Sequence, residues 1–248
     1  MPRCPGDFMA QSRHAFYPRP TSSITGYAFL HGPPLREAVK ALVKEYRQRP
    51  DDLRGTISRR MFAAIPDDEL LSRNLLGIMV GMLPPSDANL RSIVYEWLAE
   101  ATLWQHQAAL HRLTDHAPPT WDQADTAFGP ALRQAMCKRP APDLIYRTVM
   151  RPARIGKCPV MPGDQVILGL LSATADDAYR PLPANPDVSP IFGGMRQAAV
   201  QADHDPAHAC PAYKMAMGSM TGIIAALLDS GRIQAQPASL IVRISDWT

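Results

Sequence analysis

The sequence predicts a mainly helical fold with a small β-sheet, and three observations lead there. Apolar residues recur at helical spacing through most of the chain. One segment, residues 144–171, changes to short β-type runs around a Pro-Gly-Asp turn signal. Proline is abundant, 25 of 248 residues, so elements are expected to be punctuated by loops and helix boundaries.

Composition bounds the function classes. Hydrophobic residues make up 46% and charged residues 20%, the balance of a chain that buries a core. The net charge of +3 is small and the Lys and Arg are scattered, which argues against a nucleic-acid surface. The first twenty residues lack the apolar stretch of a signal peptide. The longest apolar runs, such as Leu75 to Leu83, fall far short of the ~20 residues needed to span a bilayer. The four cysteines, Cys4, Cys137, Cys158 and Cys210, form no CxxC pair and read as reduced thiols of a cytoplasmic protein.

In chain order, residues 1–33 are expected to be an irregular N-terminal segment, and residues 34–248 a single domain. A first helix is expected from Pro34, with Leu35, Val39, Leu42 and Val43 on one face. A second starts near Pro66, followed by Asp67, Asp68 and Glu69, acids that suit a helix N-terminus. Pro84-Pro85 deletes two backbone donors, so this helix is expected to kink or stop there. It resumes at Asp87 or Asn89 and runs on to Trp104. Two readings of the double proline stay open: a kink within one helix, or a turn between two antiparallel ones. Another helix covers AFGPALRQAMCK. LIYRTVM and QVILGLL, on either side of Pro162-Gly163-Asp164, are expected to pair as strands. Residues 176–210 show little periodicity, which in a folded domain usually has a functional reason. A long helix follows, with Gly231 as its C-terminal cap and a final strand pair around SLIVRIS.

The chemistry concentrates in HACPAYKMAMGSMTGIIAALLDSG. Pro211 suits a first helical position, and Tyr213, Met217, Met220, Ile224 and Leu227 follow at steps of four and three. This places Cys210 at a helix N-terminus, where the dipole favours the thiolate over the thiol. Gly218 and Gly222, one turn apart, leave a bare strip for a flat group or another helix. Three readings of Cys210 stand side by side: a buried free cysteine, a zinc ligand with His204, His208 and Asp205, and a ligand to another metal. His106, His111 and His116 are expected to be solvated.

H-A-C-P-A-Y before a long apolar helix resembles the haem-ligand signature H-x-C-x-G of the cytochrome P-450 superfamily. The upstream order is similar too. RPAPDLIYRT resembles the region after that family's K helix, where Arg147 would take the place of an arginine on a haem propionate. FGGMR places Arg196 like the conserved arginine of the meander, and NLLGIMVGM places Gly81 like a residue of the I helix over the haem. The resemblance covers about residues 68 to 248. It implies the C-terminal part of that fold, from I helix to ligand loop. It also implies haem b with its iron on Cys210, and a cofactor site shared by His208, Arg147, Arg196 and Gly81.

The chain departs from the family pattern at several positions. Leu83 and Pro84 stand where the acid and alcohol of the I helix belong. Gln134 and Cys137 stand for the Glu and Arg of E-x-x-R. Asp203, His204 and Pro206 replace the phenylalanine and glycines before the ligand, and Ala212 replaces the glycine after it. The family's N-terminal half is largely missing, which implies an outlying or truncated member that needs a further domain or partner chain. A thiolate-bound haem promotes O–O cleavage. Without the acid–alcohol pair, a preformed peroxide or hydroperoxide is the expected oxidant, acting on a small apolar substrate, lipids included. The alternatives are an O2-dependent monooxygenase, a non-catalytic haem binder, and a helical interaction module without cofactor.

Overall fold

The computed structural model describes residues 21–53, 55–115, 117–182, 184–194 and 209–230. Helix dominates, with a little antiparallel β-structure, as the periodicity predicts. Helix α1 spans Ser22–Gln48, opening on a Thr21 cap that accepts from the Ile24 amide. The irregular segment expected to reach residue 33 is thus helical from Ser22. Pro33 and Pro34 lie inside the helix, where they remove the donors to the Phe29 and Leu30 carbonyls. Both of those residues are largely exposed, so water can reach the backbone there.

After a 3-10 turn (Pro50–Asp52) and α2 (Thr56–Ala64), the chain enters α3, Asp68–Ala99. The Asp67 carboxylate accepts from the Leu70 amide at 2.6 Å, the cap that the acidic run predicts. The helix is continuous through Pro84 and Pro85, so neither the stop nor the antiparallel turn occurs. The reason lies at its two ends. Leu71 packs with Val43, Leu53 and Phe62 in one core cluster. Ile93 and Trp97 belong to a second, larger cluster. At 1.5 Å per residue the 32-residue helix is about 48 Å long, and it bridges both cores. Asn89, buried, fixes the stretch beyond the prolines. Its Nδ2 donates to the Pro85 carbonyl at 2.8 Å and to the Ala141 carbonyl at 2.9 Å.

Glu69 clamps the first end of α3 to α1. Hydrogen bonding from Lys40, with Arg73 and Arg36 beside it, holds the Glu69 carboxyl down to about 2. A break at Ala99–Thr102, with Ala101 at φ 56°, ends α3 before Trp104. Helix α4, Leu103–Thr114, follows. Helix α5, Trp121–Lys138, is closed by a Thr120–Gln123 capping box. It is the centre of the larger core, burying Phe128, Leu132 and Met136; each such side chain contributes about 1.5–3 kcal/mol on burial. Arg139 and Lys138 at its end pair with Glu96 of α3.

The β-structure is two separate two-stranded pieces rather than one sheet. Strand β1 (Leu144–Thr148) runs antiparallel to β4 (Gln165–Gly169), Tyr146 opposite Ile167. Between them β2 (Ala153–Ile155) and β3 (Cys158–Val160) form a hairpin. The Pro162-Gly163-Asp164 turn is present, with Gly163 at φ 95° and its amide donating to the Val149 carbonyl at 2.9 Å. Two short helices, α6 (Leu170–Ala173) and α7 (Ala175–Ala178), and a 3-10 turn (Ser189–Phe192) follow. Helix α8, Tyr213–Asp229, packs on α3, α4 and α5. Its buried face carries Met217, Met220, Ile224 and Leu228, while Leu227, expected on that face, is exposed. Gly231 and the strand pair around SLIVRIS lie outside the described residues. Among the described residues no helix is long and apolar enough to cross a membrane.

Candidate functional site

The loop before α8 places Cys210. Helix α8 starts at Tyr213 with Ala212 as cap, so Pro211 sits in a turn and not at a first helical position. Cys210 therefore lies three residues ahead of the helix instead of at its mouth, beyond the first turn where the dipole acts. What holds it is backbone and ring packing. The Cys210 amide donates to the Phe192 carbonyl at 2.8 Å, and the Tyr213 amide donates to the Cys210 carbonyl at 3.3 Å. Phe192 meets Tyr213 edge-on, ring centroids 4.8 Å apart. The chain thus folds back on the 3-10 turn and leaves the Cys210 thiol half-buried, with no hydrogen-bond partner among the described residues.

The other described cysteines differ in kind. Cys137 is fully buried, its Sγ 3.6 Å from the Asp187 carbonyl. Burial, with Asp177 and Asp187 nearby, pushes its thiol up to about 12, so it stays protonated. Cys158 is exposed on the β-hairpin.

Gly81 lies in the middle of α3, and a Cβ built on it would meet nothing within 4 Å. Its surroundings are unusual for an apolar run: no residue between Ser72 and Pro84 is buried, although Leu75 to Leu83 holds almost nothing polar. Ile78 and Leu83 are exposed on this stretch, and so are Ile223 and Leu227 on α8. Pro84 and Pro85 also remove the donors to the Val80 and Gly81 carbonyls. Of the two glycines of α8, Gly222 is open while Gly218 has Trp121 Cζ3 at 4.0 Å, so the bare strip is half occupied.

Arg147 is exposed on β1, its Nη1 donating to the Tyr146 carbonyl at 2.8 Å. Among the described residues it forms no ion pair. Strand β1 packs chiefly with β4 and α6 rather than with α8. Arg196 and His208 lie outside the described residues, as do the zinc candidates His204 and Asp205. Among the described residues no three His, Cys, Asp or Glu side chains gather as a metal site.

The Gln134 and Cys137 positions keep a structural task. Gln134 Nε2 donates to the Arg180 carbonyl at 2.6 Å, and Cys137 reaches the Asp187 carbonyl. Two neutral side chains therefore tie α5 to the segment running toward the ligand loop. His106 corrects the expectation of solvation. It is half-buried against Trp97, ring centroids 4.3 Å apart, and burial lowers its pKa from 6.5 against the opposing charge of Glu100.

No protein-family model matches the chain, and no curated protein matches it. Solved structures do: 374 chains are similar to it. One is the crystal structure of a cytochrome P450 (CYP102L1), with a TM-score of 0.61 and 16% sequence identity. The similarity covers 81% of this chain and 49% of that one, so the chain spans about half the length of that protein. At this identity the likeness is one of fold, and the described residues carry a mainly helical fold similar to part of a cytochrome P450.

Proposed function

We propose that the chain is a haem-thiolate oxidoreductase using peroxide or a hydroperoxide on an apolar substrate, lipid hydroperoxides included. The observation that carries this reading is the half-buried Cys210 thiol on the turn before α8, without a hydrogen-bond partner among the described residues, in a fold similar to part of a cytochrome P450. The residues present fit a flat apolar group. The stretch of α3 around Gly81 is apolar, holds no fully buried residue and leaves open space at the glycine. In this reading Cys210 would hold the iron of haem b, Gly81 would give the ring room, and Arg147, without an ion pair among the described residues, would meet a propionate. Arg196 and His208 join the site by sequence position. Thiolate-bound haem supplies O–O bond cleavage.

The residues along α3 support peroxide over O2. Leu83 and Pro84 have no proton to give. The next acid, Asp87, is held by Arg91 at 2.9 Å. O2 needs protons delivered at this point, whereas a peroxide arrives already reduced. The uncovered apolar residues of α3 are where a further domain or partner chain would close the site, and reduced cysteines favour the cytoplasm. A non-catalytic haem binder is the second reading, favoured by Gln134 and Cys137 in place of the charged pair.

The test is turnover by the haem-loaded chain on an apolar substrate. Hydrogen peroxide or an organic hydroperoxide should support it. Turnover with NADPH, a reductase and O2, but not with either peroxide, would contradict the proposal and mark a monooxygenase. Bound haem with no turnover under any condition would mark the non-catalytic reading.

A further inference from the structure

An open cleft of about 440 Å³ lies between α5 and the start of α8, bordered by Trp121, Asp125, Arg133, Tyr213, Lys214 and Met217. Its construction begins with one glycine. Asp125 and Arg133 are eight residues apart on α5, two turns, and still bond, Nη1 to Oδ1 at 2.9 Å. They meet over Gly129, where a Cβ would collide with Asp125 Oδ1 and press on Arg133 Nη2. Only a residue without a side chain lets this pair close.

The pair leaves the guanidinium incompletely used. Arg133 is 15% exposed, and its Nε is buried with no hydrogen-bond partner among the described residues. A buried charged donor without an acceptor is costly. Lys214 borders the same cleft, exposed, with no ion pair among the described residues. Two cations against one carboxylate leave a net charge of +1. The rest of the wall is the Trp121 ring, the Tyr213 ring and the Met217 thioether. Burial pushes the Tyr213 phenol up, so it stays neutral and able to donate.

We infer that this cleft binds a small organic monocarboxylate with an aromatic or aliphatic body. The carboxylate would be taken by Arg133 and Lys214 and the body by Trp121 and Met217. A single net positive charge with apolar walls suits a monoanion that has an apolar part; a phosphate dianion would exceed that charge and make no use of the walls. The site uses neither Cys210 nor haem, so it stands or falls apart from the proposed function.

The experiment titrates the full chain with 3-phenylpropanoate, with 3-phenylpropanol and inorganic phosphate as comparisons, read by calorimetry and tryptophan fluorescence. The acid should bind, the alcohol at least ten times more weakly, and phosphate not detectably. Lys214→Gln, at an exposed position, should weaken the acid several-fold, and Arg133→Gln should abolish binding. Gly129→Ala should part Asp125 from Arg133 and tighten binding. Absence of acid binding, equal binding of acid and alcohol, or phosphate binding as tight as the acid would overturn the inference. So would unchanged affinity in Lys214→Gln, which decides the matter should Arg133→Gln fail to fold.

Discussion

Two half-buried side chains, Cys210 and His106, show how local surroundings decide what a residue can do. Cys210 was recognisable from sequence because an H-A-C-P run before an apolar helix is a pattern in one dimension. Its exact relation to the helix was not, because the turn before α8 depends on Phe192 packing against Tyr213, residues distant in sequence. The same holds for His106, which looks like a surface residue on α4 until Trp97 of α3 lies against it. The Asp125, Gly129, Arg133 triplet, by contrast, is legible as i, i+4, i+8 on one helix face. His106 carries a pH prediction. Its folded pKa is below the ordinary 6.5, so the unfolded chain takes up the proton first. Its contribution is therefore complete above about 6.5 and lost as pH falls through the lower folded value. The urea midpoint should drop between about pH 7.5 and pH 5, and drop less in His106→Gln. An identical drop in that variant would refute the assignment.

Among the elements, α3 decides between the two readings of its double proline in favour of one helix. A double proline is a strong local signal for a break, and the helix runs on through it because packing at both ends outweighs two missing hydrogen bonds. Leu71 is anchored in one core, Ile93 and Trp97 in the other, and the Asn89 side chain ties the stretch beyond the prolines to the Ala141 carbonyl. Local rules could not see either anchor, nor the Pro33-Pro34 passage in α1. The remaining cost is still present, so Pro85→Ala, which returns a donor to the Gly81 carbonyl, should stabilise the chain by about 1–3 kcal/mol in urea unfolding. Unchanged or lowered stability would mean that the proline serves the packing around Asn89. The strands were readable from alternation and the Pro-Gly-Asp turn. That they form two pieces rather than one sheet depends on pairing, which alternation does not encode.

For the whole molecule, the order of elements was legible because each kind of segment has its own period and the segments follow one another without repeats. What the periodicity could not show is that α3 joins two cores and leaves its apolar middle uncovered between them. That stretch and the Cys210 turn before α8 are what the haem-thiolate reading rests on, in a chain that spans about half of a similar cytochrome P450. The most direct test adds haemin to the purified chain, reduces it under carbon monoxide and records the Soret band. The account predicts haem uptake with the red-shifted band of a thiolate ligand, lost in Cys210→Ser. Failure to take up haem, or a red-shifted band that survives in Cys210→Ser, would contradict it.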